Sequence, residues 1–128
     1  MIKIMLADDQ QLVREALAAL LGLEHDIEVV AQVGGGDEVL PAINRYHPDV
    51  VLLDIEMPGS DLSSGIDVAA AIRDAKLVTL TGEPVRSLIV TTFGRPGYLR
   101  RALAAGASGF MVKDTSASQL AEGIRRVH

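Results

Sequence analysis

The chain has 128 residues, 48% of them hydrophobic and only 3% aromatic, with no cysteine, no tryptophan and a net charge of −5. This length and apolar share suit one domain, residues 1–128, with an aliphatic α/β core, and the lack of cysteine excludes a disulfide framework, a thiolate metal site and cysteine nucleophile chemistry. The acidic balance argues against a nucleic-acid surface; no apolar run approaches the roughly 18 residues a bilayer span needs, and with no signal segment the chain reads as cytoplasmic.

Five apolar, β-branched runs alternate with five segments of helical period, the pattern of βα units on a parallel sheet. The first strand, near 2–7, carries Ile4-Met5-Leu6-Ala7 straight into Asp8-Asp9. A helix near 10–22 follows, more apolar than one inward stripe requires, and Gly22 is expected to end it in a left-handed turn. The second strand, near 27–33, leads to Gly34-Gly35-Gly36, which lacks dinucleotide-loop spacing and is followed by no phosphate-binding lysine. After a helix near 37–46, the third strand, near 49–53, runs through Val50-Val51-Leu52-Leu53 into Asp54.

Ser64-Gly65-Ile66-Asp67 has capping-box spacing at the head of a helix near 65–75. Segment 76–87 is long for a helix-to-strand link and has room for an extra strand or turn. The fourth strand, near 87–91, ends in Thr91, and the helix near 96–105 is expected to stop at Gly106 in a left-handed turn. The fifth strand, near 108–112, ends in Lys113, before a helix near 116–127 that Thr115 or Ser116 can cap. His25, His47 and His128 have no metal-ligand spacing and read as surface residues.

Taken singly, Asp8, Asp9 and Asp54 are helix caps or turn formers, Thr91 a β-former and Lys113 a solvated charge. Together they place two acidic clusters, a hydroxyl and an ammonium at the carboxyl ends of four strands, where open parallel sheets bind ligands. Two unit charges about 4 Å apart repel by roughly 4 kcal/mol at an effective dielectric near 20, so three gathered carboxylates need a cation. Mg2+ suits one or two carboxylates, waters and a phosphate oxygen. The set fits phosphoryl transfer, which is mostly positioning and neutralisation, with Asp54 as the nucleophile.

Met5-Leu6-Ala7-Asp8-Asp9-Gln10, Leu53-Asp54-Ile55-Glu56-Met57-Pro58-Gly59, Val90-Thr91-Thr92-Phe93 and Gly109-Phe110-Met111-Val112-Lys113 resemble, in order and over nearly the whole chain, the receiver domains of two-component response regulators. The stretch Thr91 to Tyr98, with Ile55 to Gly59, is most similar to the NarL/LuxR-type regulators, and within them to the DesR-like ones that serve membrane thermosensor kinases. The resemblance implies a flavodoxin-like fold: a doubly wound, five-stranded parallel sheet of order 2-1-3-4-5 with five helices. It implies that Asp54 is the phospho-acceptor and that Asp8, Asp9, Asp54 and the Glu56 backbone carbonyl hold Mg2+. Thr91 would be the hydroxyl that moves toward the phosphoryl group, Lys113 the ammonium that pairs with it, and Phe110 the aromatic that reorients.

The function this implies is a switch that accepts a phosphoryl group from a sensor histidine kinase and catalyses only its own phosphorylation and dephosphorylation, controlling a transcriptional output. DNA would be reached only through a C-terminal helix-turn-helix domain, which this chain does not contain. Three departures stand out: Asp114 follows Lys113 where many receivers have proline, Ser60 to Ser64 lengthens the link beside the acceptor, and segment 76–87 is long. The alternatives are a Mg2+-dependent phosphohydrolase of haloacid-dehalogenase type, whose strand-Asp-x-acid motif Asp54-Ile55-Glu56 imitates, and a phosphate-independent interaction module. The surplus apolar residues of the first helix, together with the fifth helix, suggest a homodimer on phosphorylation through Leu12, Ala16, Ala19, Leu120 and Ile124, as the resemblance also implies.

Overall fold

The structure, a computed structural model, describes residues 1–57, 64–91, 97–112 and 116–128. Lys113, Asp114, Thr115 and most of the Ser60 to Ser64 insertion lie outside the described residues. In chain order the elements are β1 (Ile2–Ala7), α1 (Gln11–Leu21), β2 (Ile27–Val33), a 3-10 turn (Gly36–Glu38), α2 (Val39–Tyr46), β3 (Val50–Asp54), α3 (Gly65–Asp74), β4 (Arg86–Thr91), α4 (Tyr98–Ala104), β5 (Gly109–Val112) and α5 (Ala117–Val127). All strand pairs are parallel and the sheet order is β2-β1-β3-β4-β5, as the resemblance implies.

Side-chain alternation along the strands sorts the apolar residues into two cores, one on each face of the sheet. Met5, Ala7, Val51, Leu53 and Ile89 pack against Val39 and Ile43 of α2, Ile66, Val68 and Ile72 of α3, and Ala102 of α4. Ile4, Leu6, Val50, Leu52, Leu88 and Val90 pack on the opposite face against Leu21 of α1 and Leu120, Ala121 and Ile124 of α5. Both faces of the central strands are therefore covered, which is why residues 4–7 of β1 and 50–53 of β3 read as unbroken apolar runs rather than alternating ones. The chain reverses direction across the sheet between β1 and β3, so the crevice outside their carboxyl ends is the switch point of the fold.

Local signals act in part as expected, and the box expected at Ser64 reduces to a single capping bond. The Ser64 hydroxyl accepts the Ile66 N–H at 3.0 Å, and Ser116 forms a full capping box with Gln119. Gly106 has φ +89° and ends α4 in the left-handed conformation. Gly22 does not: it keeps φ −65°, and its N–H continues the helical pattern to the Ala18 carbonyl at 2.9 Å. His47, expected at the surface, is half-buried and ends α2 at φ 50°. Segment 76–87 holds a small turned loop: Val78 bridges Pro84 antiparallel, Thr79 donates its N–H to the Glu83 carbonyl at 2.8 Å, and Gly82 makes the turn at φ +86°.

Candidate functional site

The strand register brings the acids together. Ala7 pairs with Leu53, so the next residues, Asp8 and Asp54, leave adjacent strand ends side by side. Carboxylate oxygens of Asp8, Asp9 and Asp54 all lie within 4.8 Å of one another. Asp9 is exposed, while Asp8 and Asp54 retain only 5% and 9% of their surface, so the cluster is open to solvent on one side alone.

Asp8 is held from three directions. Its N–H bonds the Val33 carbonyl of β2 at 3.1 Å, its carboxylate accepts the Gln10 N–H at 2.9 Å, and its carbonyl accepts an Arg14 Nη–H at 2.8 Å. Asp54 is fixed through its backbone. Gly65, the first residue of α3, lies so close to β3 that a Cβ there would run into the Asp54 carbonyl oxygen, and its own N–H bonds the Ile55 carbonyl at 2.8 Å. Glu56 bridges Ser64 antiparallel, which ties the stretch after the acceptor strand to the head of α3.

Thr91 stands at the end of β4, 6% exposed, level with Val112 of β5, the last described residue before Lys113. Phe110 is half-buried in the next strand, opposite Ile89, and packs against the α2-α3-α4 core. Four of the strand-end residues singled out from the sequence, Asp8, Asp9, Asp54 and Thr91, thus lie at the carboxyl ends of neighbouring strands, and the three acids converge there. Lys113 lies outside the described residues. The donor set suits a small hard dication: three carboxylates converge, charge repulsion between them favours a cation, and oxygen donors are what Mg2+ prefers.

Sequence reasoning missed two residues that shape this site. Arg14, a charged residue on the largely apolar α1, holds the Asp8 carbonyl with its guanidinium and approaches the Gln32 amide oxygen at 3.4 Å. Gly65 looked like part of a capping sequence; its lack of a side chain is what lets α3 close on β3.

The expected dimer surface divides. Leu12, Ala16 and Ala19 are exposed on α1, Leu12 to 81%. Leu120 and Ile124 are 3% and 0% exposed, turned onto the sheet beside Ile4, Leu52 and Leu88, so their assignment to an interface is corrected: they are core residues. The outward residues of α5 are polar instead, with Ser118, Gln119, Glu122 and Arg126 exposed.

A doubly wound sheet with an acid triad at its switch point is the architecture expected of a receiver domain, and comparison with known proteins agrees on the family. The chain matches the response regulator receiver domain family over residues 4–125 and belongs to it. It is 41% identical over 127 residues to the transcriptional regulatory protein DesR of Bacillus subtilis, covering 99% of this chain and 58% of that protein. It is 38% identical to the transcriptional regulatory protein LnrK of the same organism, covering 100% of this chain and 54% of that one. Among solved structures, a LuxR-family DNA-binding response regulator from Staphylococcus aureus superposes with a TM-score of 0.87 at 35% identity, over 99% of this chain and 98% of that one. The chain is a receiver domain of the NarL/LuxR type, and it spans little more than half the length of the curated relatives it matches.

Proposed function

We propose that Asp54 accepts a phosphoryl group from the phosphohistidine of a sensor histidine kinase in the cytoplasm. The observation that carries this reading is the convergence of Asp8, Asp9 and Asp54 within 4.8 Å at the switch point. An Asp54 carboxylate oxygen attacks phosphorus, the phosphorus–nitrogen bond to histidine breaks, and an acyl phosphate forms on Asp54. Asp8, Asp9, Asp54 and the Glu56 carbonyl would hold Mg2+, which when bound supplies positive charge to the phosphoryl oxygens. Arg14 and Gly65 keep Asp8 and the Asp54 backbone in place, so little reorganisation accompanies transfer.

The Thr91 hydroxyl donates to a phosphoryl oxygen and Lys113 supplies a second cation to it. Movement of Thr91 in β4 frees space beside Phe110 in the adjacent strand, and the switch spreads to the surface from there. The output is a homodimer built on the exposed apolar face of α1, with the polar face of α5 beside it. Transcriptional control follows through a C-terminal DNA-binding domain, since the chain's relatives are transcriptional regulators of nearly twice its length. The phosphohydrolase reading has no comparable support.

Incubation with acetyl phosphate followed by intact mass measurement tests this. One phosphoryl group per chain is expected with Mg2+ and none with excess chelator. Continuous hydrolysis of a generic phosphate ester, with no phosphorylated chain accumulating, would favour the enzyme instead.

A further inference from the structure

At the opposite end of the sheet from the acid triad, a cavity of about 430 Å³ opens between α3, the loop of segment 76–87 and the turn from α4 into β5. Its volume is that of a small-molecule pocket. Its walls are apolar, with Ile72, Leu77 and Val85 among them, and three cations line it: Arg73, Lys76 and Arg86. Among the described residues no carboxylate lines the cavity, although the chain carries 17 acidic residues against 12 Lys and Arg.

The three cations differ in what already engages them. Arg73 pairs with Asp74 at 3.0 Å and donates to the Ala104 carbonyl at 2.7 Å. Lys76 and Arg86 have no side-chain hydrogen bond or ion pair among the described residues. Arg73 and Lys76 stand at the C-terminal end of α3, where cations complement the helix dipole. Arg86 has no such explanation. It opens β4 and is half-buried; its N–H donates to the Asp49 carbonyl at 3.0 Å, while the Asp49 carboxylate accepts the Lys3 N–H at 2.9 Å. Without a protein partner among the described residues and with its nitrogens open to solvent, the Arg86 guanidinium is available for a charge-assisted hydrogen bond to an incoming anion.

We propose that this cavity binds a small anion carrying an apolar group, its charge held by Arg86 and Lys76 and its apolar part laid against Ile72, Leu77 and Val85. The site is separate from the phosphorylation chemistry and requires neither Mg2+ nor a modified Asp54.

Amide chemical shifts of the unphosphorylated, Mg2+-free protein, titrated with phenylphosphonate, test the proposal. Saturable shifts are expected at Leu77, Val85, Arg86 and Gly106, with benzyl alcohol, the neutral comparator, binding more weakly. Arg86→Gln and Lys76→Gln should each weaken binding by about fivefold, the order expected for one partly exposed charge-assisted contact. The same spectra report whether each variant is folded, and Lys76 is an exposed position where substitution leaves the core intact. Absence of saturable shifts, equal binding of benzyl alcohol, or unchanged affinity in both variants would overturn it.

Discussion

Single positions separate what holds the site from what fills the core. Gly65→Ala would press a methyl group into the Asp54 carbonyl, so α3 and β3 must part. Overpacking of this kind costs about 1–3 kcal/mol, and the displaced acceptor should also label more slowly with acetyl phosphate. A variant with the melting temperature and labelling rate of the parent would show that the close approach is unimportant. Leu12 and Leu120 make a second contrast. Leu12→Asp is expected to leave stability within about 0.5 kcal/mol, because the side chain is 81% exposed, while abolishing dimerisation of the phosphorylated domain in sedimentation. Leu120→Ala should cost about 2–5 kcal/mol by emptying a core site. A dimer that survives Leu12→Asp would remove α1 from the interface.

Among the elements, α5 is tied to the α1–β2 link by one guanidinium. Arg125 meets Asp26 through two bonds at 2.7 and 2.8 Å, Glu24 at 2.8 Å and Glu122 at 2.6 Å. Chiefly through its hydrogen bonds to Arg125, the Asp26 carboxyl falls from an ordinary 3.8 to about 2, and the three acids raise Arg125 further above its already high value. A depressed carboxyl pKa contributes stability that is complete above 3.8 and lost as pH falls through about 2. The stability difference between the parent and Arg125→Met should therefore be constant above pH 4 and shrink between about pH 4 and 2. A difference independent of pH in that window would mean that the pairing contributes nothing. No sequence pattern announced this contact, because Asp26 and Arg125 are 99 residues apart and each alone is an ordinary surface charge.

Element types and their order were legible because the apolar runs are dense and the breaks are chemically marked. Ser64 and Ser116 cap the helices their spacing indicated. The failures have physical causes. Gly22 suggested a left-handed stop, but the helical φ it keeps is equally open to glycine and lets its N–H continue the α1 pattern. The expectation that Leu120 and Ile124 join a dimer interface fails because an apolar residue on an amphipathic helix does not declare which neighbour it meets. The tertiary arrangement turns that stripe of α5 onto the sheet and leaves the surplus on α1 exposed.

For the whole molecule, the strand order converts short sequence motifs into one site: Asp8 and Asp54, 46 positions apart, become neighbours because β1 and β3 pair in register. That juxtaposition was readable from the acids at strand ends, whereas the supports from Arg14 and Gly65 depend on packing distances that no spacing encodes. If this geometry makes Asp54 the phospho-acceptor, intact mass after acetyl phosphate and Mg2+, measured in parallel for the parent chain and Asp54→Asn, will distinguish the two chains. One phosphoryl group is expected on the parent and none on the variant; equal labelling of both would rule out Asp54 as the acceptor.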